Sequence, residues 1–116
     1  MAKFLLQVKY NEKGWAAMVK NPQDRSAAVK PAIEKLGGKL DSLYLAFGKY
    51  DVIGIMDMPT NVAAAAFAMA VAAGAEVESL VTTPLMTTRE GMDAMKKAGG
   101  STYKPPSSAK KAAAKK

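Results

Sequence analysis

Two strand-like segments on either side of Gly48 constrain the fold of this chain more than any other feature. Residues 39–47 are rich in leucine and aromatic side chains, and residues 51–58 contain β-branched residues that suit a pleated, half-buried surface. Glycine permits a tight turn between them. The connection is short, so the two segments predict an antiparallel hairpin in the middle of the chain.

Periodic segments flank this hairpin on both sides and complete the order β-α-β-β-α-β, followed by a helix. Residues 3–10 alternate between two faces, as a half-buried strand does. Residues 62–73 are almost wholly alanine and other small apolar residues, and alanine is the best helix former. The predicted strands are residues 3–10, 39–47, 51–58 and 75–87, and the predicted helices are residues 12–19, 23–36, 62–73 and 88–98.

Capping signals predict where the helices begin and end. Asn21 followed by Pro22 predicts the start of the first long helix, with Asn21 as its cap. Pro31 lies inside that helix and predicts a kink or a break. Thr60 or Asn61 is expected to cap the next helix. Thr88 is expected to cap the last one.

This order predicts an α+β fold of the ferredoxin-like βαββαβ type, a four-stranded antiparallel sheet with helices on one face plus a C-terminal helix. Pro84 is expected at an edge or a bulge of the sheet, because proline cannot donate to a central ladder. We expect one domain over residues 1–98 and a disordered basic Lys/Ala tail over residues 99–116. The uncovered sheet face would expose apolar side chains, so we expect a homo-oligomer, with a dimer as the first expectation.

The sequence contains neither cysteine nor histidine, and their absence excludes several common types of catalytic and metal site. Ser–His and Cys–His nucleophile pairs cannot be built, and the usual zinc ligands are missing. We therefore predict no cofactor and no metal. The sequence has neither an apolar run long enough for a membrane span nor a signal segment, so a cytoplasmic protein without a membrane partner is expected.

The net charge of +7 is concentrated at the C-terminal end. Residues 1–98 hold twelve Lys and Arg against ten Asp and Glu, whereas residues 99–116 hold five lysines and no acid. Such lysines bind nucleic acid or another polyanion without reading its sequence, or only keep the chain soluble. The candidate polyanion-binding residues are Lys104, Lys110, Lys111, Lys115 and Lys116.

Candidate ligand-binding side chains cluster around the predicted hairpin and the first strand. Tyr50 and Asp51 could line a pocket, or Asp51 could hold turn amides while Tyr50 packs at a subunit contact. Trp15 could stack on a ligand or cover one end of the core, and Arg25 could hold an anion or face solvent. The candidate ligand-binding residues are Lys9, Trp15, Arg25, Tyr44, Tyr50 and Asp51.

Several of these segments carry a family resemblance. Gly48, Tyr50 and Asp51 form a Gly-x-Tyr-Asp signature, and residues 9–14, 34–40 and 64–67 match at the same spacing. On these pieces the chain resembles the GYD-domain family over residues 3 to 96. That family resembles the dimeric α+β barrels, so the resemblance implies their fold and no particular reaction. The lysine tail departs from the family pattern.

Three functions are consistent with these features. The leading hypothesis is an oligomeric small-ligand-binding or regulatory protein without catalytic activity, with a polyanion-binding tail. The second is a cofactor-free enzyme of the α+β barrel type, an oxygenase or isomerase, with Tyr50, Asp51 and Lys9 lining the pocket. The third is a nucleic-acid-associated protein that binds through the tail.

Overall fold

Four strands and four α-helices make up the part of the chain that the computed structural model describes, residues 1–108. The strands are β1 (Ala2–Tyr10), β2 (Lys39–Leu45), β3 (Val52–Met58) and β4 (Val77–Pro84). The helices are α1 (Glu12–Lys20), α2 (Ser26–Lys35), α3 (Asn61–Ala73) and α4 (Thr88–Gly99). The sheet and α1–α3 form one compact unit, Met1–Leu85, and a second unit begins at Met86.

The strands form one antiparallel sheet in the order β2-β3-β1-β4. This order, with helices between β1 and β2 and between β3 and β4, confirms the predicted ferredoxin-like α+β fold. Pro84 is the last residue of the edge strand β4, where its missing donor disturbs no central ladder. The register places Leu6 of β1 opposite Gly54 of β3 and Thr82 of β4.

The core lies between the sheet and the helices α2 and α3. Alternate residues of β1 and β3 point to this side, so one face of each strand is buried while the other is not. Ile33 of α2 and Phe67 of α3 cover the core on the helix side. The buried core cluster contains Phe4, Leu6, Ile33, Met56, Met58, Ala64 and Phe67.

The predicted start of the first long helix at Asn21-Pro22 is wrong. Asn11 caps α1, since its side chain accepts a hydrogen bond from the Gly14 amide at 3.0 Å. With that start, α1 continues to Lys20 and Asn21 becomes its C-terminal cap. The following helix, α2, begins only at Ser26.

Pro31 neither breaks nor ends α2, which runs through it to Lys35. The proline is exposed, as is Ala27, whose carbonyl loses its helical donor. Water can satisfy that carbonyl, so the helix continues. The end of α2 follows the prediction, with Gly37 at a φ of +88° and its amide donating to the Glu34 carbonyl.

The fourth strand is shorter than predicted, because residues at both ends leave the ladder. Ala75 has a φ of +62°, a left-handed conformation that ends α3 and is incompatible with a strand. Pro84 ends the strand at the other side. Thr60 caps α3 as expected, through a bond from the Ala63 amide at 3.0 Å.

In the second unit, the cap of α4 is Thr87 and not Thr88. Its hydroxyl accepts from the Glu90 amide at 3.0 Å, and the Glu90 carboxylate accepts from the Thr87 amide at 2.8 Å. This reciprocal capping box fixes the helix start one residue earlier. Pro106–Ser108 forms one turn of 3₁₀ helix. Lys110, Lys111, Lys115 and Lys116 lie outside the described residues.

Within residues 1–108, no helix has both the length and the apolar character that crossing a lipid bilayer requires.

Candidate functional site

Asp51 is a buried carboxylate at the end of the sheet where β1 finishes and β3 begins. Only 6% of the residue is exposed. Its Oδ2 accepts from the Tyr10 amide at 2.9 Å and from the Trp15 indole Nε1 at 3.3 Å. Its own amide donates to the Val8 carbonyl at 2.8 Å. Asp51 therefore joins β1, α1 and the β2–β3 loop.

An aromatic pair stands next to this carboxylate. The rings of Tyr10 and Trp15 have centroids 5.6 Å apart and an interplanar angle of 75°, an edge-to-face contact. The first turn of α1 positions Trp15, and Asn11 fixes that turn. Asn11 also donates to the Ala75 carbonyl at 2.9 Å, which ties α1 to the end of α3.

Two cavities adjoin on the helix side of the sheet. The outer cavity, of about 380 Å³, lies between the end of α1, the segment 22–25 and the ends of β2 and β3. The inner cavity, of about 410 Å³, lies between α1, α2, α3 and the core strands. The two share five lining residues, which are Met18, Gln23, Arg25, Leu43 and Val52.

Small side chains leave room for the inner cavity. Ala17 of α1, Ala28 and Ala32 of α2 and Ala70 of α3 all line it. Gly14 lines it too, and a Cβ on that residue would lie 2.5 Å from the Glu76 carbonyl oxygen, so α1 can approach the α3–β4 connection only with glycine there. The remaining surface is mainly apolar, contributed by Leu6, Val8, Val29, Val52, Phe67 and Val71.

Arg25 stands at the junction of the two cavities. Its Nη1 donates to Gln23 Oε1 at 2.7 Å, and it makes no ion pair with any residue from 1 to 108. The neighbouring Asp24 carboxylate instead accepts from the Ser26 hydroxyl at 2.7 Å and the Ser26 amide at 3.0 Å. These two hydrogen bonds hold the pKa of Asp24 below its usual value, and the bond from the Ser26 hydroxyl contributes the most.

The structure brings some of the predicted ligand-binding residues together and leaves others apart. Trp15, Arg25 and Tyr44 line the outer cavity, and Asp51 bonds to Trp15 behind it. Lys9 lies opposite Ser79 on the sheet face away from the helices. Tyr50 lies in the β2–β3 loop, with Lys49 Nζ 5.8 Å from its ring centroid. Neither Lys9 nor Tyr50 lines either cavity.

Sequence reasoning missed Tyr10, Asn11 and Gln23 as parts of this region. Asn11 carried a usable signal, because an asparagine followed by an acidic residue in the first turn is a common helix start. Tyr10 and Gln23 carried none. Their roles depend on contacts made only when α1 and the segment 22–25 fold over the end of the sheet.

The residues of the Gly-x-Tyr-Asp signature differ in what the fold requires of them. Asp51 makes the buried contacts described above. Gly48 does not have a positive φ, and a Cβ added to it would meet no atom within 4 Å. Glycine permits the turn here, but neither the backbone conformation nor the available space requires it. Phe47, beside it, is fully exposed.

Acidic side chains do not gather into a metal site, since the described part of the chain has no group of three or more His, Cys, Asp or Glu that could hold an ion.

Comparison with known families agrees with this architecture. The model of the GYD domain family matches residues 4–95, which is most of the chain and all of the sheet except the first two residues of β1. The chain belongs to the GYD domain family. Comparisons with curated proteins and with solved structures found no match. The family match covers the Asp51 junction, both cavities and most of α4.

Proposed function

We propose that this GYD-domain protein binds a small, mainly apolar molecule in the inner cavity and does not catalyse a reaction on it. The observation that supports this most directly is the inner cavity itself, about 410 Å³ between three helices and the sheet. Cavities of about 300–1,000 Å³ with apolar walls and a few polar groups are typical small-molecule sites. Arg25 and Gln23 supply such polar groups at its mouth.

The side chains around the cavities favour binding over catalysis. The chain has no histidine or cysteine to act as base or nucleophile. The nearest buried carboxylate, Asp51, already accepts two hydrogen bonds on Oδ2. Tyr50 and Lys9, which an α+β barrel enzyme would need here, do not line either cavity.

A cavity-filling variant tests the proposal. Ala70→Met places a larger side chain on the cavity wall, whereas Ala65→Met, on the same helix but away from both cavities, serves as control. A panel of small apolar molecules is screened by melting temperature. Compounds that stabilise the unaltered protein and the Ala65→Met variant should not stabilise Ala70→Met. Equal stabilisation of all three, or no hit, contradicts the proposal.

We also propose that the protein is a homodimer formed by the sheet face opposite the helices. That face carries Leu5 of β1, Ile53 and Ile55 of β3 and Val81 of β4, and Ile53 remains 36% exposed. No helix of the unit Met1–Leu85 packs on it. Gln7 of β1 separates Ile53 from Val81, but Leu5, Ile53 and Ile55 form an apolar patch of the kind that is typical of an interaction surface.

The charges on this face do not prevent a second copy from packing against it. At one end, Lys3 Nζ lies 2.8 Å from Asp41 Oδ2 and 3.0 Å from Asp57 Oδ1. Lys39 stands opposite Asp57 on the same face, so two lysines balance two aspartates there. Lys9 carries +1 at the other end, six residues along β1, or roughly 20 Å away at about 3.3 Å per residue. A two-fold axis across β1 would bring each Lys9 towards the balanced end of the other copy.

Sedimentation of two matched variants tests the dimer. Ile53→Glu places a charge in the centre of the proposed interface, whereas Val62→Glu places the same charge on α3 at a residue that is 79% exposed. At micromolar concentration we expect dimers of the unaltered protein and of Val62→Glu, and monomers of Ile53→Glu. A monomeric unaltered protein, or a dimeric Ile53→Glu variant, would reject this interface.

The lysine-rich C-terminal segment supports a separate activity, sequence-independent binding of DNA or another polyanion. Lys104 is exposed, and Lys110, Lys111, Lys115 and Lys116 follow with no acidic residue among them. Lysines that neutralise phosphates release counterions, which makes binding steeply salt-dependent. The full chain should therefore bind a duplex of arbitrary sequence at 50 mM NaCl and release it at higher salt.

A charge-matched pair of full-length variants tests this activity. Replacing the four lysines from 110 to 116 with arginine keeps the charge, and replacing them with glutamine removes it. The slope of log affinity against log salt should fall by about 3–4 in the glutamine variant and stay unchanged in the arginine variant. An unchanged slope in the glutamine variant would assign binding to the rest of the chain.

A further inference from the structure

We infer that the ligand of these cavities is a small apolar monocarboxylate, with its hydrocarbon body in the inner cavity and its carboxylate against the Arg25 guanidinium. The inference rests on the proposed function, because it names the class of molecule that the same site takes.

Among residues 1–108, Arg25 is the only cation that lines either cavity. A guanidinium presents its donors as a planar fork that matches the two oxygens of a carboxylate. Within residues 1–108, one of these donors bonds to the neutral Gln23 and none bonds to an acid. Arg25 therefore keeps donors for an incoming anion at the point where the two cavities meet.

The charge of the arginine favours an anion with a single negative charge. Asp24 lines the outer cavity and Glu76 lines the inner one, so Arg25 is not part of a cluster of cations. A phosphate monoester carries about −1.5 to −2 at neutral pH, and one arginine does not balance that charge. A carboxylate carries −1 and uses both of its oxygens on one guanidinium.

The rest of the ligand must be apolar, because the inner cavity offers few other polar partners. Aliphatic and aromatic side chains of β1, α2 and α3 form most of its wall, among them Leu6, Val29 and Phe67. Burying apolar surface against them stabilises the complex. A polar body would lose its hydrogen bonds to water there without replacement.

Three probes with the same length of carbon chain and different head groups test the inference. Octanoate and 1-octanol share an eight-carbon chain, and octyl phosphate adds the second charge. The chain contains one tryptophan, and Trp15 lines the outer cavity, so its fluorescence reports binding. Octanoate should bind at least about tenfold more tightly than octanol, the gain typical of hydrogen bonds to a charged group, and more tightly than octyl phosphate.

Variants of the arginine separate its role from that of the cavity. Arg25→Gln should remove the preference for octanoate and keep octanol binding, which also shows that the variant is folded. Arg25→Lys, which keeps the charge without the fork, should keep part of the preference. Arg89→Gln makes the same change on α4 and should alter neither affinity.

The outcomes distinguish this inference from the proposed function. If octanol binds and octanoate has no advantage, or if Arg25→Gln leaves the advantage intact, the carboxylate assignment is wrong while the apolar cavity site stands. If octyl phosphate binds most tightly, the anion is a phosphate. If none of the three probes binds at millimolar concentration, the proposed function fails together with this inference.

Discussion

Replacing Asp51 is the most direct test of how the end of the sheet is held together. Asp51→Ala removes the acceptor of two donors, the Tyr10 amide at 2.9 Å and the Trp15 indole at 3.3 Å. A donor left without a partner in a buried setting costs about 1–3 kcal/mol. The indole bond is long, so we place it at the lower end. The expected loss in free energy of unfolding is about 3 kcal/mol.

Asp51→Asn should cost much less, because the amide keeps one oxygen where Oδ2 lies. What it loses is the charge, and a bond to a neutral acceptor contributes about 1 kcal/mol less than one to a charged acceptor, or about 2 kcal/mol for the two bonds. Burying a neutral amide costs less than burying a carboxylate, which offsets part of this. The expected net loss is about 1 kcal/mol. Asp93→Ala, which removes an exposed carboxylate from α4, is the control and should change stability by less than about 0.5 kcal/mol.

Urea denaturation followed by circular dichroism measures these differences without relying on Trp15, whose environment the variants change. The slope with denaturant should stay constant while the midpoint falls. In thermal unfolding, the alanine variant should melt about 12–24 °C lower, at roughly 4–8 °C per kcal/mol for a domain of this size. A loss below about 0.5 kcal/mol in Asp51→Ala would refute the structural role. A gain in Asp51→Asn would indicate a carboxylate retained for function at a cost in stability.

Further substitutions address other parts of the fold. Lys3 lowers the pKa of Asp41, mainly through its hydrogen bond to the Asp41 carboxylate and also through its charge. Asp41 therefore stabilises the folded state at pH values above its unfolded pKa. This stability is lost as the pH falls through the pKa of Asp41 in the folded protein. Asp41→Asn should therefore lower the urea midpoint at pH 7 and have no effect well below pH 3.8. Thr82 Oγ1 is buried without a hydrogen-bond partner among residues 1–108, so Thr82→Val should raise the free energy of unfolding by about 1 kcal/mol; a loss would reveal a partner. Ala75 has a φ of +62°, and Ala75→Gly should add about 0.5–1 kcal/mol in the same assay, since relief of the left-handed strain exceeds the entropy cost of glycine.

The strand order was predictable because local signals and burial agree in the sheet. Residues 3–10 alternate in sequence, and β1 buries Phe4, Leu6 and Val8 on one face as that alternation requires. The helix starts were less predictable because capping signals compete. The helix over residues 12–19 was predictable, but Asn21, which is also a good cap by residue type, ends α1 in the structure and does not begin α2.

The contacts of the site depend on separations that sequence patterns do not report. Asp51 bonds to an amide 41 residues away, and no local motif indicates that pairing. The cavities were not predictable either, because they arise from space left between helices. The sequence placed the candidate ligand-binding residues around the hairpin and the first strand, whereas both cavities lie on the helix side of the sheet.

The alanine-rich helix α3 accounts for both the close packing of the fold and its cavity. Ala64 and Phe67 are buried against the sheet, where small side chains allow a close approach. One turn further on, Ala70 lines the inner cavity, where the same smallness leaves the wall incomplete. If this space is a ligand site, filling it with Ala70→Met should raise the stability of the ligand-free protein by about 1 kcal/mol, from burial of part of the added side chain. The same change should abolish stabilisation by a bound molecule, which otherwise contributes about 2.7 kcal/mol at a hundred times its Kd. Urea midpoints of the unaltered protein and of Ala70→Met, each measured with and without octanoate, test both expected changes. If Ala70→Met is less stable than the unaltered protein without ligand, or if octanoate still stabilises it, the ligand does not occupy the space beside Ala70.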